Sequence, residues 1–194
     1  MRLSGGKASR RELPRAGKNT RPTTGRVREA LFSSLGAFVE GAKVLDLFAG
    51  TGAYGLEAWS RGAARVTWVE RDKAAAGAIA AAAAAFGAAA GETRAVAADA
   101  FAFLGAKCSA PHDLVLADPP YEEARAGDWL PRLGKLLRQN GWLVPGGVFV
   151  YETAGKVFPP APEGYETLRA RRYGRTALLV FRLPAEPSGA ASGD

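Results

Sequence analysis

The sequence predicts an α/β fold, a mostly parallel sheet with helices on both faces. Two observations carry that expectation. From Lys43 to Glu152, apolar strand-like runs alternate with helical stretches, the order that strand–helix–strand units require. Near the end of the chain, two extended segments follow each other with only Gly174-Arg175 between them, so a hairpin adds an antiparallel edge.

Taken in order, residues 1–20 carry Gly5-Gly6, Pro14 and Gly17 among basic residues and are expected to form a hairpin or arm. Pro22-Thr23-Thr24 reads as a helix start with a threonine N-cap. Val27, Ala30, Leu31 and Leu35 give that helix one apolar face. Val44 to Phe48 is the first strand, and Gly50-Thr51-Gly52 turns it into a helix through Leu56 and Trp59. Arg65 to Glu70 is the second strand, and Asp72 can cap the alanine-rich helix after it. Arg94 to Ala98 and Asp113 to Ala117 are the third and fourth strands. A helix over Trp129 to Gln139 precedes the fifth, Gly147 to Glu152. Tyr165 to Tyr173 and Thr176 to Leu183 form the hairpin. Residues 21–183 are therefore read as one domain, and 184–194 as a disordered tail.

The 194 residues, 47% hydrophobic and 23% charged, suit one domain able to fold without staples. The single cysteine, Cys108, excludes an internal disulfide framework and suggests a reducing compartment. The single histidine, His112, excludes two-histidine metal motifs. With no apolar run after Met1 and no strongly hydrophobic span, a soluble cytoplasmic protein is expected. The net charge of +7 is concentrated at one end: residues 1–30 hold nine Lys/Arg against Glu12 and Glu29, and the remainder is balanced. Such a segment is drawn to a polyanion, of which phosphate backbones are the usual case, or is simply a solubilising arm.

Gly50-Thr51-Gly52-Ala53-Tyr54-Gly55 matches G-x-G-x-x-G in the strand–turn–helix context of nucleotide binding. Glu70, ending the second strand, can accept from both hydroxyls of a ribose. Asp46, beside the turn, would repel a pyrophosphate but suits an ammonium group, which points to S-adenosylmethionine rather than a dinucleotide. Capping of the turn is the alternative role for Asp46. Asp99 falls where an acid could accept the adenine amino hydrogen, and Phe101 could pack on that ring or in the core.

Asp118-Pro119-Pro120-Tyr121 follows the fourth strand and opens at the carboxyl edge of the sheet. The prolines fix the backbone, so Asp118 and the Pro119 carbonyl form paired acceptors for an exocyclic amine, and Tyr121 offers a flat surface to the base carrying it. An aromatic amine is a poor nucleophile because its lone pair is delocalised into the ring. Two fixed acceptors favour the pyramidal geometry needed for attack and stabilise charge growing on nitrogen. Positioning does the rest, without metal or covalent intermediate. A base inside a helix must be flipped or unpaired to reach such a pocket.

Together these residues resemble the bacterial 16S ribosomal RNA guanine-N2 methyltransferase family. The matching pieces are Arg21-Pro22-Thr23-Thr24 with Arg26 to Phe32, Asp46 to Ala53 with Gly55 to Ala58, Ser60 to Ala63, Asp118 to Tyr121, and Tyr173-Gly174. The resemblance implies a Rossmann-like class I methyltransferase fold of seven strands, one of them antiparallel. It implies S-adenosylmethionine as donor and a guanine 2-amino group of small-subunit ribosomal RNA as acceptor. It maps cofactor contacts onto Asp46, Ala49, Gly50, Thr51, Gly52, Glu70, Asp99 and Ala100, and the catalytic element onto Asp118, Pro119, Pro120 and Tyr121. RNA is expected on Lys7, Arg10, Arg11, Arg21, Arg26 and Arg28, in free 16S RNA, a 30S subunit or an assembly intermediate. No metal or membrane is expected, and nothing requires more than a monomer. One departure is Gly25, where the family commonly has an aspartate.

Alternatives remain at this stage. The Asp-Pro-Pro-Tyr chemistry also permits adenine N6 as acceptor. A dinucleotide-dependent oxidoreductase would explain the glycine turn and Glu70 but not Asp46 or the prolines. A non-catalytic RNA-binding module would keep the fold. His112 is expected as a partly exposed strand-entry residue, with a catalytic base as the alternative, and Cys108 as a loop or packing cysteine. Glu152 is either structural or part of the cleft. Arg169, Arg171, Arg172 and Arg175 form a second basic patch, either a solvated face or further RNA surface.

Overall fold

A computed structural model describes residues 2–14, 25–155 and 157–185. The expected helix start at Pro22-Thr23-Thr24 with its threonine N-cap, the residues Arg15 to Arg21, and the tail from Glu186 lie outside the described residues.

Seven strands form one sheet in the order β3-β2-β1-β4-β5-β7-β6. They are β1 (Lys43–Leu47), β2 (Arg65–Glu70), β3 (Thr93–Ala97), β4 (His112–Ala117), β5 (Leu143–Ala154), β6 (Glu166–Tyr173) and β7 (Thr176–Arg182). The first five pair in parallel, and β7 is antiparallel to both neighbours. The antiparallel strand thus lies inside the sheet, and the edge is β6. The hairpin folds back under its two-residue turn, which puts β7 on β5 and leaves β6 outermost.

The expected helices are present as α1 (Gly25–Leu35), α2 (Ala53–Ser60), α3 (Lys73–Ala85) and α6 (Trp129–Gln139). Two short ones, α4 (Ala100–Gly105) and α5 (Tyr121–Ala126), are additions that the hydrophobic pattern is too brief to announce. α3 starts as expected, the Asp72 carboxylate accepting from the amides of Ala74 and Ala75 at 2.7 and 3.2 Å. One face of the sheet is covered by α1, α2 and α3, which bury Phe32, Trp59 and Ile79. The other is covered by α4 and α6, which bury Leu104, Leu133 and Leu137.

Residues 2–14 are not a free arm. Arg2 and Glu12 close an antiparallel bridge, and Leu3, Ala8 and Leu13 are buried in the core with α1 and α2. The Ser4 hydroxyl and amide donate to Glu57, at 2.6 and 2.9 Å. The Lys7 amide donates to Ser60 O at the end of α2, and its ammonium lies 3.8 Å from Glu92, just before β3. The turn of this basic hairpin therefore sits at the amino edge of the sheet.

Arg28, one of the cations that the resemblance assigns to RNA, does not face solvent: it is wholly buried. Its Nε donates to Glu57 at 3.0 Å, and its Nη2 donates to the Arg2 carbonyl at 2.5 Å. It pins the hairpin to the domain. His112 is likewise buried, not partly exposed, stacked on Trp142 with its Nδ1 3.3 Å from the Trp142 carbonyl. Burial holds its pKa below the ordinary range. Among the described residues no helix is long and apolar enough to cross a membrane.

Candidate active site

The carboxyl ends of β1, β2 and β4 open onto one cavity of about 430 Å³, within the range of small-molecule sites. The glycine turn forms one wall. Phe48, Gly50 and Gly52 all take positive φ, at 57°, 54° and 72°, so the chain leaves β1 through a tight left-handed bend. Gly55 is needed for a different reason. A Cβ there would stand 2.1 Å from Trp68 Nε1, so only glycine lets α2 lie this close to β2.

Two carboxylates hold the bend. Asp46, 1% exposed, accepts the Gly55 amide at 2.8 Å. Glu70 accepts the Gly50 amide at 2.7 Å through one oxygen and the Asp72 amide at 2.9 Å through the other. Both acids also line the cavity. Asp46 thus takes the turn-holding role anticipated for it, and because each carboxylate oxygen has more than one lone pair it keeps acceptor capacity toward the cavity. Burial pushes the Asp46 carboxyl well above its usual pKa, the nearby Asp118 and Glu70 charges add to this, and the Gly55 amide opposes them. An ionised Asp46 is therefore stabilised by any cation placed in the cavity.

Asp99 caps α4 by accepting the Ala102 amide at 2.9 Å, and it lines the cavity beside Ala100. Of the eight residues expected at the cofactor, Ala49, Gly50 and Thr51 join these on the wall, and Gly52 alone stays behind it against Ile79. Phe101 is not on the wall. It packs on Trp129, ring centroids 5.1 Å apart, under the Arg132 guanidinium. The flat apolar surface inside is made by Phe48 and Trp129, which stack 5.4 Å apart at 18°. Sequence reasoning missed both, because Phe48 reads as the end of a strand and Trp129 as a helix core residue.

All four residues of the Asp-Pro-Pro-Tyr element line the same cavity, so Asp118 faces the glycine bend. Tyr121 begins α5, and its hydroxyl donates to Glu152 Oε1 at 2.6 Å, with Thr176 Oγ1 3.3 Å away. Tyr54 of α2 donates to the other Glu152 oxygen at 2.5 Å. Glu152 is 4% exposed and lines the cavity, so it is both structural and part of the cleft. Burial and the Glu152 charge raise the pKa of both tyrosines, which keeps them as hydrogen-bond donors.

Among the described residues, six carboxylates, those of Asp46, Glu70, Asp72, Asp99, Asp118 and Glu152, line the cavity against one cation, Arg71, whose Nη1 lies 3.8 Å from Glu123. This electrostatic lining repels phosphate and favours a cationic ligand with hydroxyl and amine donors. Among the described residues no cluster of acids, histidines and cysteine could hold a metal ion.

A family model described as Conserved hypothetical protein 95 matches residues 1–182. The chain is 35% identical over 188 residues to the Ribosomal RNA small subunit methyltransferase D of Escherichia coli K12, covering 96% of this chain and 91% of that protein. It is 31% identical over 164 residues to the protein of the same name from Haemophilus influenzae, covering 84% and 81% of the two chains. Among solved structures, a putative methyltransferase, yhhF, from Escherichia coli aligns with a TM-score of 0.82 at 35% identity, covering 96% of this chain and 99% of that one. An RNA methyltransferase from Salinibacter ruber, in complex with S-adenosyl-L-homocysteine, shares the fold at a TM-score of 0.62 and 17% identity, covering 89% of this chain and all of the other.

Proposed function

This chain belongs to the Conserved hypothetical protein 95 family, whose curated relatives include small-subunit ribosomal RNA methyltransferases, and from that premise we propose that it methylates the N2 amine of a guanine in 16S ribosomal RNA, with S-adenosylmethionine as donor. The observation that carries the reading is the shared cavity. Asp118 to Tyr121 form one side, and the glycine bend held by Asp46 and Glu70 forms the other.

The residues present fit the donor. Glu70 can take its ribose hydroxyls, Asp99 its adenine amine, Phe48 and Trp129 the flat ring, and Asp46 its ammonium. No phosphate has to enter an acid-lined space. When bound, S-adenosylmethionine supplies a methyl group on a sulfonium, the electron pair of the broken carbon–sulfur bond staying on sulfur.

The chain's own part is positioning and proton handling. Asp118 and the Pro119 carbonyl accept the two hydrogens of the amine, and this stabilises charge developing on nitrogen. Asp118 can take the proton that nitrogen sheds. Tyr121, fixed by Glu152, provides the surface on which the base lies. Guanine presents adjacent donors, N1–H and the 2-amine, and so suits a wall of acceptors. Adenine would set its N1 lone pair against a carboxylate. The basic residues Lys7, Arg10, Arg11, Arg21 and Arg26 are assigned to the RNA backbone. A cytoplasmic site of action follows from that substrate.

The test is methyl transfer in vitro to 16S rRNA, free and in 30S particles, with nucleoside mass spectrometry. N2-methylguanosine is the expected product. Methylated adenine, or tight NADH binding with no transfer, overturns the reading.

A further inference from the structure

We propose that the edge strand β6 and its turn into β7 form the track along which an RNA strand is held as its base enters the cavity. The inference rests on the reading above and adds the surface that grips the substrate.

The topology places this hairpin at the mouth. β5 runs to the carboxyl edge of the sheet, and its last residue, Ala154, pairs with Thr176, the first of β7. Thr176 lines the cavity and its Oγ1 lies 3.3 Å from the Tyr121 hydroxyl. Arg175 is the residue before it and is exposed. The basic patch seen in the sequence therefore begins at the rim of the site.

From there it continues along one face. Opposed residues of a ladder share a face, and Arg171 pairs with Leu178 and Arg169 with Val180. Leu178 and Val180 belong to the core under α1, so Arg169 and Arg171 project on the α1 side, about 7 Å apart along the strand. Tyr173, between Arg171 and the turn, packs partly against the same core. Both guanidiniums are exposed. Among the described residues, Arg169, Arg171 and Arg175 have no acidic partner within ion-pair distance. At the far end of the strand, by contrast, Arg182 is held by Glu166 at 2.8 Å. Among the described residues, the cation at the far end is thus paired with an acid, and Arg169, Arg171 and Arg175 are not.

Charge complementarity selects the occupant. The cavity itself is acidic and rejects phosphate, whereas toward its rim stand Arg169, Arg171 and Arg175, which have no acidic partner within ion-pair distance among the described residues. A polyanion that must present a neutral base to the cavity and keep its backbone outside meets both requirements. The turn of the N-terminal basic hairpin, at the opposite edge, cannot hold the nucleotides next to the reacting base. There Lys7 is engaged by Glu92 at 3.8 Å and lies over the Trp59 ring at 4.1 Å.

The test compares the parent with the triple variant Arg169→Gln, Arg171→Gln, Arg175→Gln, binding a 16S rRNA transcript across a potassium chloride series. The variant should bind more weakly, and its salt slope should fall by about 2, at about 0.7 per lost phosphate contact on a single strand. S-adenosylmethionine affinity by calorimetry and thermal unfolding should match the parent, because the three side chains are exposed and outside the cavity. A variant with the parent's affinity and slope overturns the track. Failure of the parent to transfer methyl to any 16S RNA would overturn the functional reading instead, in a separate assay.

Discussion

The Tyr121 hydroxyl donates to Glu152 Oε1 at 2.6 Å, so the residue that ends the Asp-Pro-Pro-Tyr element is anchored on β5. The same carboxylate accepts from Tyr54 of α2 at 2.5 Å. One buried acid thereby joins the Asp-Pro-Pro-Tyr element after β4 to the helix that follows the glycine bend. The relative placement of the two walls depends on it.

Glu152→Gln replaces one acceptor by a donor, so one tyrosine hydroxyl loses its acceptor on residue 152. The rate of methyl transfer should fall by roughly 100-fold, the scale of small misplacements at a reacting centre. S-adenosylmethionine affinity should change little. Single-turnover kinetics with calorimetry on the same preparation checks the split, and an unchanged rate would remove Glu152 from the positioning role.

Asp118→Asn keeps the shape of the pocket and converts half of the acceptor into a donor. Transfer should drop by roughly 100- to 1,000-fold, as when one preorganised electrostatic partner of a transition state is removed. Binding of S-adenosylhomocysteine and of RNA should persist. A retained rate would favour the non-catalytic module.

Glu57 gives a pH prediction. Burial raises its pKa, but hydrogen bonds from the Ser4 hydroxyl and amide and from Arg61, with the Arg28 charge, outweigh this and leave it below the usual value of 4.5. A lowered folded-state pKa means that the unfolded chain binds the proton more readily. The stabilisation is therefore complete above about pH 4.5 and is lost as pH falls through the folded-state value. Glu57→Gln should be less stable at neutral pH, and its deficit relative to the parent should shrink on acidification. Urea unfolding at several pH values reads this directly.

Arg28→Met tests the buried ion pair from the other side. It removes a fully enclosed guanidinium and leaves Glu57 with Arg61 and Ser4. Destabilisation of about 3 kcal/mol is expected for a broken buried pair. Because the pair fixes residues 2–14, limited proteolysis of the hairpin should accelerate.

Gly55→Ala should cost about 1–3 kcal/mol, the range for overpacking a filled interior, since its Cβ would press on the Trp68 indole at 2.1 Å. Chemical denaturation checks this. Cofactor affinity should fall as well if the helix shifts away from β2.

How much was legible beforehand follows from the range of the interactions. The strands, the long helices and the Asp72 cap are set by periodicity and by contacts a few residues apart, and they appear where the pattern puts them. The glycine bend and Asp118 to Tyr121 are contiguous segments whose local chemistry requires those residue types. Pairing across the chain is not written locally. Arg28 reads as one more cation in a basic segment, and only its enclosure beside Glu57, 29 residues on, shows it to be internal.

By itself, then, the sequence determined the alternation of elements, the glycine bend, and the acid–proline turn that shares its cavity, because backbone stiffness and side-chain spacing act over a few residues. The tertiary structure decided which acid joins the two walls, which aromatics line the cavity, and which cations stand at its mouth. Those choices depend on burial and on the insertion of β7 between β5 and β6, which bring distant residues into contact.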